Sequence, residues 1–255
     1  MTRKNRLPSF LKPIYETDLI RVGNKKDGGY LIPSKSLKKT KILYSFGLET
    51  DWSFEEDFFK LTNSKIFCYD HTTDWKLFLK LFLKKPNKFF LYFQYKKFFD
   101  NRKKFHIKKM IYPTNSFNPA IKNDLFADLN SILLDVTKAK NIFLKIDIEG
   151  SEYRILDQII NYSFSLNTLV IEFHDCDLHM NKIKNFINDF ELDLVHIHVN
   201  NWSTLNSSNI PGSIELTFST KEFNQKNNDD NKIFPIDIDM PCNELYQDLP
   251  IEFYD

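Results

Sequence analysis

Along this chain, short runs of apolar, β-favouring residues alternate with stretches whose apolar positions recur at helical spacing. The runs are 41–46 (KILYSF), 65–70 (KIFCYD), 107–112 (IKKMIY), 142–147 (IFLKID), 168–173 (TLVIEF), 192–199 (LDLVHIHV) and 213–219 (SIELTFS). Nearly continuous apolar runs of this kind suit strands covered on both faces of a sheet. Helical patterns follow the first run (53–61), the fourth (151–160) and the fifth (178–190). Ser53 and Ser151 stand where helix caps belong, and Glu152 falls in a first turn, where its charge suits the helix dipole. Strand–helix alternation predicts an α/β fold with a doubly wound, mostly parallel sheet and helices on both faces. The last two runs are joined by a loop alone (200–212), which predicts a C-terminal antiparallel β-hairpin.

Length fits this reading as one domain. The chain has 255 residues, no internal repeat and no long linker; 224–232 (NQKNNDDNK) is its most loop-like stretch. Within a single 1–255 domain, three segments stand apart: an N-terminal flap or hairpin (1–40), a basic aromatic helical insertion (74–104) and an acidic C-terminal extension (220–255). A 42% hydrophobic, 27% charged composition excludes a disordered or collagen-like chain. The cysteines Cys68, Cys176 and Cys242 form no CxxC, which argues against a disulfide framework or a zinc knuckle and for a reducing cytoplasm. Residues 1–10 lack the apolar centre of a signal peptide, and no apolar stretch is long enough to span a bilayer.

Candidate chemistry collects at the ends of the runs, where ligands of open α/β sheets bind. The first run leads into Phe46-Gly47-Leu48-Glu49-Thr50-Asp51-Trp52-Ser53, a strand, one glycine and then polar residues opening a helix. Such a turn lets backbone approach a nucleotide, but it lacks the full GxGxxG of a dinucleotide site. The second run ends on Asp70, about 23 residues beyond Gly47, a spacing that suits an acid on ribose hydroxyls. The fourth run carries Asp147 and Glu149 to its carboxyl end, where acids can hold a cation, accept a proton or position a hydroxyl. In the fifth run Glu172 and His174 share a face, and His174 is a candidate base. In the sixth, His196, His198 and Asn200 alternate on one face. They suit a polar strand face, a substrate contact at His198, Asn200 and Asn201, or a metal chelated by the His-x-His pair His196 and His198 with Asp147 or His174. Glu215 on the last run could orient a neighbouring histidine. Three of the six glycines fall in 21–33 (RVGNKKDGGYLIP), a hairpin that could close over a ligand with Tyr30 touching substrate.

Charge is uneven. Residues 76–109 hold twelve Lys or Arg and one acid, interleaved with about ten aromatics, while 222–255 hold nine acids and two lysines. The basic stretch, with Pro86 dividing two helices, reads either as solvated amphipathic helices or as a surface for a polyanion or an anionic membrane. No nucleic-acid-binding motif accompanies it.

Taken together, LKIDIEGSE (144–152), DGGYLIP, SFG…DWSFE, VIEFHD and HIHVNNW…PGSIELTF resemble the FkbM-like group of S-adenosylmethionine-dependent methyltransferases, in a bacterial branch tied to surface polysaccharides. The resemblance runs from 21 to 219. It implies a Rossmann-like, seven-stranded class I methyltransferase fold, S-adenosylmethionine as cofactor and methyl transfer to a sugar or sugar-linked group in capsule synthesis. Under it, Phe46, Gly47, Glu49, Asp51, Ser53, Asp70, His71 and Asp147 would line the cofactor. Asp147, Glu149, His174 and His198 would do the chemistry, with a divalent metal an open question. The acceptor would be a small molecule or saccharide, phosphorylated, nucleotide-linked or lipid-linked, and not nucleic acid. The place of action would be the cytoplasm, with a peripheral position at the membrane's inner face left open. Two other readings remain: methylation of a small phosphate- or amide-bearing capsule precursor, and a binding protein that keeps the fold without turnover.

Overall fold

A computed structural model of the chain describes residues 4–86, 90–113, 123–134, 140–226 and 232–255. Seven strands form its central sheet: β1 (Ile42–Phe46), β2 (Lys65–Tyr69), β3 (Lys104–Ile107), β4 (Ile142–Ile146), β5 (Leu166–Phe173), β6 (Asp193–Val199) and β7 (Ile214–Ser219). Their order is β6-β7-β5-β4-β1-β2-β3. The five strands from β5 to β3 run parallel, and β7 inserts antiparallel between β5 and β6. This is the doubly wound, mostly parallel sheet with a terminal antiparallel hairpin that the sequence predicts. The order reverses between β1 and β4, so their carboxyl ends frame the crevice where such sheets bind ligands.

Alternation along each strand splits the core in two. Strand β4 sends Ile142, Leu144 and Ile146 to one face, where Ile159, Ile183 and Phe186 cover them. It sends Phe143 to the other, against Phe54 and Phe58. The covering helices are α1 (Ser34–Lys39) and α2 (Ser53–Thr62), then α3 (Trp75–Lys84) and α4 (Phe90–Phe99) either side of Pro86, then α5 (Leu129–Leu134), α6 (Leu156–Asn161) and α7 (Cys176–Asp189). Lys145 shares Phe143's face, so the apolar strand ends in a buried ammonium.

Three local expectations shift. The run 107–112 is not one strand. Lys104–Ile107 joins the sheet, while Met110–Tyr112 pairs with Phe126–Asp128 in a separate two-stranded ribbon. Lys108, which would have lain mid-strand, instead reaches Asp74 at 3.2 Å. Ser53 does not cap α2: Trp52 holds the N-cap position without a side-chain bond, and Asp51 Oδ1 accepts the Ser53 amide at 2.8 Å just ahead of the helix. The helix expected over 151–160 begins as a 3₁₀ turn, Glu152–Arg154, and becomes α-helical only at Leu156. Ser151 makes no side-chain cap there.

The acidic extension packs onto the hairpin. Asn5–Pro8 pairs in parallel with Ile251–Tyr254, bringing the first and last strands together. His196 Nε2 meets Asp239 at 2.9 Å, and His198 sits between Glu215 (2.8 Å) and Asp248 (3.0 Å). Burial alone would lower the His198 pKa, but Asp248, Cys242 and Glu215 outweigh it and hold the ring well above the usual histidine range. Its stabilising charge is therefore fully present below that range and is lost only as pH rises through the raised value. Removing one partner of a buried ion pair leaves the other charges uncompensated, at about 3–5 kcal/mol. His198→Ala should therefore lower unfolding free energy in urea by that order, whereas a value under ~1 kcal/mol would mean that the clasp carries little.

Candidate active site

At the carboxyl ends of β1, β2, β4 and β5 lies a cleft of about 840 Å³. Gly47 opens it. At φ +89° its backbone passes so close to β4 that a Cβ would stand 1.6 Å from the Asp147 carbonyl oxygen, so only glycine fits. The next two amides, Leu48 and Glu49, donate to Asp70 Oδ2 at 2.8 and 2.7 Å. Asp70 Oδ1 accepts from the Thr72 amide and hydroxyl, both at 2.6 Å, and from the Thr73 amide at 3.2 Å. Burial would raise this carboxyl's pKa, but those bonds from Thr72, Glu49 and Leu48 outweigh it and hold it at about 2. Five donors saturate the two oxygens. Asp70 thus ties the β1 and β2 loops together while it lines the cleft, at the place where the sequence expects it on ribose hydroxyls.

The N-terminal hairpin, Leu19–Val22 with Tyr30–Pro33, brings its tip to the same rim. The Asn24 side-chain amide donates to Asp51, and the Asn24 backbone amide donates to Ser53 Oγ at 3.1 Å. Ser53 therefore ties the hairpin down and is not among the residues lining the cleft. Tyr30 is buried behind Asp147 and donates its hydroxyl to Oδ2 at 3.1 Å. Asp27, at the tip, lines the cleft; burial, then Glu215 and Asp147, raise its pKa to about 6.

The chemistry centres on His174. Its backbone amide donates to buried Glu152 Oε1 at 2.7 Å, and its Nδ1 lies 3.3 Å from that oxygen. Glu152 Oε2 is held by the Gly150 amide at 2.9 Å. With Nδ1 so engaged, Nε2 turns to the cleft, 3.5 Å from Glu149, 3.7 Å from Glu172 and 4.0 Å from Asp147. Burial alone would lower the pKa of this imidazole, but Glu152, Glu172 and Asp147 outweigh it and raise it to about 9. At neutral pH the ring is an imidazolium rather than the free base that its position suggests. Glu172, buried and bonded by Asn200 Nδ2 at 2.8 Å, is pushed well above the usual carboxyl range by burial and then by Asp147 and Glu215. Asp147, Glu149 and His174 each offer a ligand atom, all within 4.8 Å of one another.

Other expected residues lie elsewhere. Phe46 is fully buried against Tyr69 in the core, and only its backbone reaches the rim, where its carbonyl accepts the Asp147 amide. His198 has both ring nitrogens occupied in the clasp, groups with Glu215 and Cys242, and is not among the residues lining the cleft; Glu215 bonds its Nδ1 at 2.8 Å. Asn201 turns away as well, donating to the Asn243 and Tyr246 carbonyls at 3.2 and 3.1 Å. Glu49, Asp51, His71 and Asn200 do line the cleft.

Two contributors were not foreseen. The sequence pattern shows Glu152 only as a first-turn acid. Lys145 is buried between Glu55 (3.7 Å) and the Gly47 carbonyl (3.3 Å). Burial would lower its pKa, but Glu55, Asp147 and Asp51 outweigh it and keep it an ammonium. A lysine inside an apolar strand was the available signal. Even so, among the described residues the lining carries seven acids against Lys109 and Lys145. The lining is acidic, which favours positive charge on a ligand.

No protein-family model matches this sequence, and no curated protein matches it. Solved structures do. A putative tRNA (m1A22) methyltransferase of Streptococcus pneumoniae, in complex with S-adenosyl-L-methionine, is 9% identical with a TM-score of 0.40, over 74% of this chain and 73% of that one. A precorrin-6y C5,15-methyltransferase of Geobacter metallireducens is 14% identical with a TM-score of 0.36, over 74% and 87%. TrmK of M. capricolum, in complex with S-adenosyl-homocysteine, is 11% identical with a TM-score of 0.36, over 81% and 73%. Similarity this low leaves substrate and cofactor to be argued from the chain's own residues.

Proposed function

We propose that the protein is an FkbM-like methyltransferase that uses S-adenosylmethionine to methylate a sugar hydroxyl in the synthesis of a surface polysaccharide. The observation that carries this reading is the Glu152–His174 pair, with Nε2 aimed into an acidic cleft at the β4 and β5 ends. When bound, the cofactor supplies a methyl group on a positively charged sulfur, open to in-line displacement. Asp147, Asp51 and Glu49 favour that positive charge. Neutral His174 takes the proton that the acceptor oxygen sheds as its new bond to carbon forms, and passes it to solvent. Glu152 keeps Nε2 in place, as the carboxylate does in other carboxylate–histidine pairs. Carboxylates and the Asn200 amide are hydrogen-bonding partners suited to a sugar's hydroxyls. The polysaccharide setting rests on the resemblance of the sequence motifs.

The spacing of Asp147, Glu149 and His174 favours a second reading, in which these three side chains would hold a divalent cation that would lower the acceptor's pKa. The test is release of S-adenosylhomocysteine in the presence of nucleotide-linked sugars, with and without chelator. Turnover with a sugar that chelator leaves intact is the expected result. Loss with chelator and rescue by Mg²⁺ would replace His174 as the activating group. Turnover with RNA and no sugar would overturn the acceptor class.

A further inference from the structure

Helix α3 presents three faces. Phe78 points inward, ring to ring with Trp52, Tyr92 and Tyr95. Trp75, Leu79 and Leu83, four residues apart, form one outward stripe and are 58%, 46% and 72% exposed. Lys76, Lys80 and Lys84 repeat the spacing one residue on, which turns their exposed stripe about 100° round the helix. Large apolar side chains rarely line up in water without a partner. Here the apolar stripe runs directly beside a cationic one, and the surrounding stretch 76–109 holds twelve basic residues against one acid.

We propose that this face of α3 docks onto an anionic lipid bilayer, with the Trp75–Leu79–Leu83 stripe in the acyl–headgroup boundary and the lysine stripe on lipid phosphates. Both features are needed by a helix lying in a membrane interface. A nucleic acid would engage the lysines and leave the three apolar side chains in water. A protein groove would cover the apolar stripe and would need acids of its own for the lysines. Docking also has a consequence for the cleft. Leu77, on the inner side of the same helix, lines it, so the bound helix sets the cleft's rim beside the membrane. The inference is independent of the methyl-transfer reading.

The test is flotation of the full chain with vesicles of phosphatidylglycerol and phosphatidylcholine, against vesicles of phosphatidylcholine alone. Binding to the anionic vesicles is expected, weakening with salt. Near an anionic surface each lysine contributes about fivefold, so the Lys76→Gln, Lys80→Gln, Lys84→Gln triple variant should bind roughly a hundredfold more weakly. Leu79→Ser with Leu83→Ser should bind at least tenfold more weakly. Brominated lipid should quench an emission that Trp75→Phe removes, which reads the contact even where a multiple variant folds poorly. Equal binding to both vesicle types, or no quenching of Trp75, would overturn the proposal. So would vesicle-independent self-association abolished by Leu83→Ser, or binding to single-stranded RNA in place of vesicles.

Discussion

His174→Ala should lower kcat about a hundred- to ten-thousandfold, the usual contribution of a positioned base, and leave the fold and the cofactor affinity nearly unchanged. The pH profile makes the expectation specific. With its pKa raised to about 9, His174 is roughly 1% neutral at pH 7. The rate should therefore climb about tenfold per unit from pH 7 and level near 9. Glu152→Gln keeps the shape but removes the first of the groups that raise this pKa, so the limb should move down toward the ordinary histidine range. A merely structural Glu152 would lower stability without moving the limb. The stability sign runs the other way from the rate. A group whose folded pKa is raised stabilises fully below its unfolded value of about 6.5 and loses that contribution as pH rises through about 9. Activity should thus rise across the window in which the fold weakens. A flat profile from pH 6 to 9 would rule out His174 as the base.

Asp70→Ala should have the largest effect on the cleft's shape. Its carboxylate accepts five hydrogen bonds that join the β1 loop to the β2 loop. Without it, the Leu48 and Glu49 amides lose their acceptor, and a buried unsatisfied donor costs about 1–3 kcal/mol. Leu48 is buried while Glu49 opens onto the cleft, so the loss should be about 1–3 kcal/mol, and cofactor affinity should fall by a hundredfold or more as the rim opens. Acid should mimic the mutation. Asp70 has its pKa lowered to about 2, so its contribution is present above the unfolded value of about 4 and is lost as pH falls through about 2. Urea titrations of wild type and Asp70→Ala at neutral pH and at about pH 2 would check both statements. A wild-type advantage that does not shrink in acid would remove Asp70 from the role of latch.

The strand ends were legible because buried strands are apolar and their ends abruptly are not: Asp70, Asp147 and Glu172–His174 stand out from the runs that carry them. Gly47 was legible for the same reason, being a rare glycine just past a strand. What could not be read was the direction in which each side chain spends its hydrogen bonds. Asp70 sits where a ribose-binding acid belongs, but no local pattern shows that two loops with free amides close over it and take up its oxygens. His198 looked equivalent to His174, since both stand on strands near the same edge. Its partner Asp248 lies 50 residues further along, in an extension whose path no local pattern fixes. Glu152 was hidden by a helix that starts as a 3₁₀ turn and swings the carboxylate back beneath His174. The third strand lies three residues earlier than the apolar run suggests, with Lys104–Ile107 paired to β2 and Lys108 turned to Asp74 beyond its end.

The central claim is that the acidic cleft binds S-adenosylmethionine, and calorimetric titration with that compound and with S-adenosylhomocysteine tests it most directly. One-site micromolar binding is expected, tighter for the sulfonium than for the neutral thioether because the lining is acidic, and weakened by Asp70→Ala. At a hundredfold excess over Kd it should also stabilise the fold by about 2.7 kcal/mol. A folded sample that binds neither compound would contradict the account.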